Sequence, residues 1–209
     1  MCMFLHVAYS KRNSKASTAF PGLGREANTK GGIRNAKVGL ELRRVTDFVA
    51  TRKHAARNRA MLLSTHLAGM RVGEVAALRI SDVLDMDGNI RNEIRLDAEQ
   101  TKGQYARVVF VGDKLRKELA KYLALYTPVN REQKQFYTQK RMSEGFTGNT
   151  LTQHFHHLYR AVGIEGASSH SGRRSFITNL ASKGVGVRVL MSLAGHRNPR
   201  LGTNLSPHR

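Results

Sequence analysis

Four side chains of this sequence have the types and the spacing to hold a phosphodiester. Ser169-His170-Ser171-Gly172-Arg173-Arg174-Ser175-Phe176 is followed by Leu193-Ala194-Gly195-His196, and Gly69-Met70-Arg71-Val72-Gly73-Glu74-Val75-Ala76-Ala77-Leu78 stands about a hundred residues earlier. A guanidinium binds two phosphate oxygens at once and stays protonated, which a lysine does not match. Arg71 and Arg173, with His170 and His196 at helix ends, suit the negative charge of a phosphorus centre under attack. The last tyrosine of the chain is Tyr159, so no tyrosine follows His196.

The elements that must position these residues are readable from periodicity. From Gly39 the pattern is helical, with Leu40, Leu42, Val45, Phe48 and Val49 at three- and four-residue spacing. A second helix over Ala55–Ala68 turns Leu62, Leu63 and Leu67 inward, and Gly69 is a natural helix terminator. A third helix runs from Val72 to Leu78, so Arg71 lies in the break and is expected to reach back over the end of the preceding helix. Asp85-Met86-Asp87-Gly88-Asn89 reads as a turn. Ile90, Ile94 and Leu96 on one side and Val108-Val109-Phe110-Val111 on the other predict a small antiparallel sheet, with Thr101-Lys102-Gly103-Gln104 in its loop.

Leu115, Leu119, Tyr122, Leu123 and Leu125 mark a helix after Asp113, and residues 128–149 read as a polar connection. Helices are predicted over Thr150–Val162, Ser171–Ser182 and Val187–Ala194, closed by Gly163, Gly184 and Gly195. There is no internal repeat. The expected fold class is mostly α with a small antiparallel β-sheet, an α+β domain.

Each candidate has a plainer alternative. His170 and Arg173 open a helix that Ser168 or Ser169 is placed to cap, and the free N–H groups and positive dipole end there favour an anion. The alternative is a basic helix start facing solvent. Arg174 points about a hundred degrees round the helix and reads as a DNA-backbone contact or a solvated charge; Lys183 and Arg197 are further DNA-contact candidates. Arg71 has the alternative of a surface pair with Glu74 one turn on, and Glu74 reads as a support rather than a base. His154 and His157 share a helical face, but no cysteine or acidic residue stands near them, so no metal and no cofactor is assigned.

Charge decides the class of partner. Lys and Arg number 35 against 15 Asp and Glu, a net +20 that points to a polyanion, nucleic acid above all. Residues 1–60 contribute +10, residues 61–127 only +1, and residues 128–209 contribute +9. The ends therefore read as binding surface and the middle as scaffold. A single cysteine, Cys2, excludes a disulfide framework. No apolar run approaches the roughly 18 residues of a membrane span, and no secretory leader is read in the first residues, so the cytoplasm is the expected compartment.

In order and context, the segments around Arg71, Lys102, His170–Arg173 and His196 resemble the catalytic domain of the tyrosine recombinases, the phage-integrase family. The family pattern is a Gly-x-Arg-x-x-Glu-x-x-x-Leu segment, a hairpin lysine, a His-x-x-Arg helix start and a Leu-Gly-His, then a tyrosine about nine positions on. Gly69 departs from it by one position, and Ala194 is inserted within Leu193-Ala194-Gly195-His196. Composition and the lack of apolar periodicity make residues 1–39 a basic, disordered arm. The resemblance implies a recombinase catalytic-domain fold over residues 40–200. It also implies metal-free chemistry on double-stranded DNA, and a homo-oligomer on that DNA. Arg71, Arg173, His170 and His196 would stabilise the phosphorus, and Lys102 would protonate the leaving 5′-hydroxyl.

Leu205 stands where the nucleophile is expected, so residues 201–209 read as an aberrant tail on a truncated member of the family. Leu205-Ser206 is encodable as CTA-TCN, which one nucleotide later reads TAT, a tyrosine codon; a frameshift near residue 200 is the expected origin. The function expected is that of an integrase-like DNA-binding protein defective in strand cleavage on its own. The alternatives are a non-enzymatic basic nucleic-acid-binding protein, or a recombinase that borrows its tyrosine from another protomer.

Overall fold

Helix α2 (Ala55–Leu67) is enclosed rather than amphipathic: Ala60, Met61, Leu62 and Leu63 are all buried, as are Ser64 and Thr65. A helix buried on several sides belongs at the centre, and α1 (Thr29–Ala50), α3 (Val72–Ala77), α5 (Asp113–Ala124) and α7 (Ser171–Ser182) pack around it. The computed structural model describes residues 29–126, 130–138 and 145–195. The remaining elements are α4 (Ile80–Val83), β1 (Glu93–Leu96), a 3-10 turn (Ala98–Gln100), β2 (Arg107–Phe110), α6 (Gly148–Ala161) and α8 (Val187–Leu193). The architecture is mostly helical with one two-stranded antiparallel sheet, as the sequence predicts.

In the sheet, Ile94 stands opposite Val109 and Leu96 opposite Arg107. Ile94, Leu96 and Val109 are buried, while Val108 and Phe110 face outward. The hairpin is fastened to the helices through the connection between its strands, where Gln100 donates to Asp82 Oδ2 at 2.7 Å and to the carbonyl of Ala77 at 3.3 Å. Helix α3 lies close on α6, since a Cβ at Gly148 would stand 3.4 Å from the Cα of Gly73. Helix α7 lies closer still on α2. A Cβ at Gly172 would sit 2.1 Å from Thr65 Oγ1, so only glycine permits that crossing.

Three expectations are corrected. Helix α1 begins at Thr29, ten residues before Gly39, so residues 29–39 are helical rather than part of a disordered arm. Once Val45 and Val49 are anchored in the core, adding turns outward costs no new nucleation. Residues 1–28 lie outside the described residues. The stretch read as a polar connection carries core: Gln135 and Phe136 are buried, and Tyr137 packs on Tyr126 with ring centroids 4.8 Å apart. Lone aromatic residues in an aperiodic segment give no helical or strand signal, which is why the pattern misses them. The cap expected from Ser168 or Ser169 is absent as well: His170 itself is the N-cap of α7, without a side-chain capping bond. The Ser168 hydroxyl accepts instead from the His170 N–H at 3.3 Å and from Arg174 Nη2 at 2.9 Å.

Candidate phosphodiester site

Gly69 sets the geometry of the site. It adopts φ +63° after α2, and a Cβ there would meet the Phe176 ring at 2.4 Å, so backbone and packing both require glycine. The turn delivers Arg71 to the N-cap of α3, where its N–H donates to Glu74 Oε2 at 2.7 Å. Its Nη1 donates to Glu74 Oε1 at 2.8 Å and its Nη2 to the carbonyl of Gly195 at 3.3 Å. Arg71 therefore turns forward to Glu74 rather than back over α2. The residue that reaches the end of α2 is Arg173, whose Nη1 donates to the Gly69 carbonyl at 2.6 Å.

Glu74 is 1 % exposed and is the carboxylate at the centre of the cluster. Arg107 grips it with two bonds, Nε to Oε1 at 3.0 Å and Nη2 to Oε2 at 2.5 Å, and donates Nη1 to the carbonyl of Leu193 at 2.9 Å. Burial alone would push the Glu74 carboxyl up. The bonds and charge of Arg107, with those of Arg71, outweigh it and hold the group below its usual range. Glu74 is thus the support that the sequence suggests, but for two arginines rather than one.

Arg173 completes the cluster and is its least satisfied member. It is 6 % exposed, and among the described residues its Nη2 has no hydrogen-bond partner. Burial, and then the charges of Arg71 and Arg107, lower its pKa to about 10, with Glu74 opposing. The group is still a cation at neutral pH, in a place that disfavours cations. Three guanidinium groups share one carboxylate here, leaving two positive charges in excess. An oxyanion at Arg173 Nη2 would satisfy both the orphan donor and the excess charge.

A cavity of about 620 Å³ opens on the Arg71 and Arg107 side of this cluster, with Leu193 and Gly195 also in its wall. Thr101 and Gly103 line it too, so the loop carrying the exposed Lys102 borders the same space. That loop is tight: Tyr105 N–H donates to Thr101 Oγ1 at 3.1 Å, and Gln104 N–H to the carbonyl of Thr101 at 3.1 Å. His170 is exposed one turn before Arg173. Arg174 and Lys183 are exposed at opposite ends of α7. His196, Arg197 and Leu205 lie outside the described residues.

The histidines of α6 play other parts. His154 is half-buried and shares a hydrogen bond with Asn58 Oδ1 at 3.2 Å, and its pKa is lowered to about 4 by burial and then by Arg57. His156 and His157 are exposed. Among the described residues no group of His, Cys, Asp and Glu is arranged to hold a metal, and no described helix is long and apolar enough to cross a membrane.

The sequence reading missed Arg107, although a signal was present. Positions 107, 109 and 111 alternate with 108 and 110, and Val109 and Val111 are core residues. An arginine on the inward face of a strand next to a core needs a buried counter-ion.

Residues 39–203 match the model of the phage integrase family. The match runs to residue 203, three residues into the stretch 201–209 that the sequence reads as an aberrant tail. Tyrosine recombinase XerD of Oceanobacillus iheyensis is 29% identical over 167 residues, 75% of this chain and 52% of that protein. The chain spans about half the length of the curated relatives it matches. The crystal structure of XerA recombinase superposes with a TM-score of 0.61 at 25% identity, over 76% of this chain and 54% of that one. The fold is also that of XerH site-specific recombinase bound to difH substrate, with a TM-score of 0.55 at 24% identity over 79% of this chain and 49% of that one.

Proposed function

The chain belongs to the phage integrase family, and from that premise we propose that it binds double-stranded DNA and seats one backbone phosphodiester between Arg71 and Arg173. The single observation carrying this reading is the buried Arg173 Nη2, unpartnered among the described residues and set beside two more guanidinium groups. A phosphodiester offers two non-bridging oxygens, and a pair of arginines takes them in fixed directions. In this reading Lys102 stands on the cavity-side loop to protonate a leaving 5′-hydroxyl, and His170 and His196 donate to the phosphorus oxygens. Arg174, Lys183 and Arg197 bind flanking phosphates. The family's reaction is attack by a tyrosine hydroxyl on phosphorus, which forms a 3′-phosphotyrosine and releases the 5′-hydroxyl. Leu205 offers no such hydroxyl, so the reading for this chain alone is phosphate binding without strand cleavage. We place that activity in the cytoplasm, on a homo-oligomer of the protein bound to the DNA.

The test keeps the charge and changes the geometry. The double variant Arg71→Lys, Arg173→Lys preserves the net +20, so a generic basic binder would lose nothing. The expected result on duplex DNA is an affinity loss of about tenfold or more at an unchanged salt slope. Equal affinity for the variant and the parent contradicts the reading and favours non-specific charge binding.

A further inference from the structure

Arg107 belongs to none of the motif segments, yet it joins three of the elements that meet at the site. It leaves β2, grips both oxygens of Glu74 on α3, and donates to the Leu193 carbonyl at the end of α8. Its side chain is 9 % exposed. Gly195, at φ +55°, leaves room for it, since a Cβ there would stand 2.9 Å from Arg107 Cδ.

Glu74 poses a problem for the proposed phosphate site. A buried carboxylate that pairs with Arg71 steers its guanidinium but also cancels the charge meant for a phosphate. With one cation and one carboxylate the site would be neutral at Arg71. Arg107 makes two bonds to Glu74 where the Arg71 side chain makes one. We propose that Arg107 is a positioning residue: as the main counter-ion of Glu74 it lets that carboxylate orient Arg71 without neutralising it, and its bond to Leu193 holds the end of α8 against the same site. The inference rests on the phosphodiester reading above and says how that site keeps its charge.

The charged groups facing Glu74 among the described residues are Arg71 beside it on α3, Arg107 from β2 and Arg173 from α7. Without Arg107, Arg71 becomes the principal partner of Glu74, and phosphate competes with the carboxylate for it. The carboxyl, 1 % exposed, then has burial pushing it up with less to oppose that push. Proton uptake by Glu74 at lower pH would release Arg71 again.

The probe is the dinucleoside phosphodiester TpT, which has one phosphate and no titration between pH 5.5 and 8, followed by phosphorus NMR. The full chain should bind it, with a pH profile over about that range that serves as the reference for the variants, and Arg71→Lys, Arg173→Lys should abolish the binding. Arg107→Gln should bind about tenfold more weakly at pH 8 and recover as the pH falls toward 5.5. Adding Glu74→Gln to Arg107→Gln should restore affinity at pH 8, which a residue with a merely structural role would not do. Arg107→Lys keeps the counter-charge and should stay within about threefold of the parent at every pH, so it carries the test where the neutral variant does not fold. Arginine-dependent TpT binding that is indifferent to Arg107→Gln, or a loss that is pH-independent and not relieved by Glu74→Gln, overturns the role of Arg107 alone. So does a tenfold or pH-dependent loss in Arg107→Lys. Binding indifferent to the Arg71 and Arg173 changes overturns the phosphodiester reading itself, and this inference with it.

Discussion

Arg57 and Arg173 are both buried, at 2 % and 6 % exposure, but their surroundings treat the charge differently. Arg57 is closed off on every side. Nε and Nη2 donate to Asn58 Oδ1 at 3.2 and 3.1 Å, Nη1 donates to the Tyr137 carbonyl at 2.9 Å, and the guanidinium lies over the rings of Tyr137 and Phe146 at 5.4 and 5.2 Å. Every nitrogen has a neutral acceptor and the faces have π-systems, which is how a lone cation is housed for packing. Arg173 has one carbonyl, one orphan nitrogen and two cationic neighbours. A buried cation with an unfilled donor beside like charges is a place that favours an anion. Burial alone does not separate a structural arginine from a binding one; the count of unfilled donors and the sign of the neighbours do.

The largest expected effect is on Arg57. Arg57→Ala should cost about 3–5 kcal/mol of stability, because it opens a cavity and strands the acceptors on Asn58 and Tyr137, while folded molecules keep their DNA affinity. Arg173→Ala should do the reverse. It removes an incompletely paired buried charge, so its stability change should stay within about 1 kcal/mol, while DNA affinity falls by about 2 kcal/mol or more. Denaturant unfolding and DNA titration of both variants test this pair, and equal stability losses would erase the distinction.

A third effect, on the pH dependence of stability, follows from the histidine on each side of the comparison. His154 touches Asn58 beside Arg57. His66 is buried against α7, hydrogen-bonds Tyr159 at 3.1 Å, and has its pKa lowered to about 4 by burial. In the unfolded chain His66 takes a proton near its ordinary 6.5, so its contribution is fully present above that pH. It is lost as the pH falls from about 6.5 to 4, by about 3 kcal/mol in all. Urea unfolding between pH 4 and 7 should show that slope in the parent and a shallower one in His66→Asn. An identical slope in both would remove His66 from the account.

Much of this molecule was legible in the sequence because its helices are amphipathic or apolar and end at glycines. Gly163, Gly184 and Gly195 all take positive φ at the predicted helix ends, and α7 matches its expected bounds, Ser171–Ser182. Arg71 and Arg173 were legible as types at helix starts, and Glu74 as the support of Arg71. What was not legible depended on contacts between distant segments. Arg57 sits in an ordinary helical sequence, and only the return of Tyr137, 80 positions later, makes it buried. Arg107 becomes part of the site only once β2 is paired with β1 and α8 has closed over it. Helix α1 extends past its periodic stretch because propagation needs no apolar stripe of its own.

The account stands or falls on what Arg173 Nη2 binds. Crystals of the protein grown or soaked with tungstate, a heavy tetrahedral oxyanion, locate the preferred site directly by anomalous scattering. The account predicts an anion within about 3 Å of Arg173 Nη2 and in contact with Arg71, at ordinary hydrogen-bond distances. An anion bound only elsewhere, for instance beside His156 and Ser168, with Arg173 Nη2 still lacking an oxyanion, would contradict it.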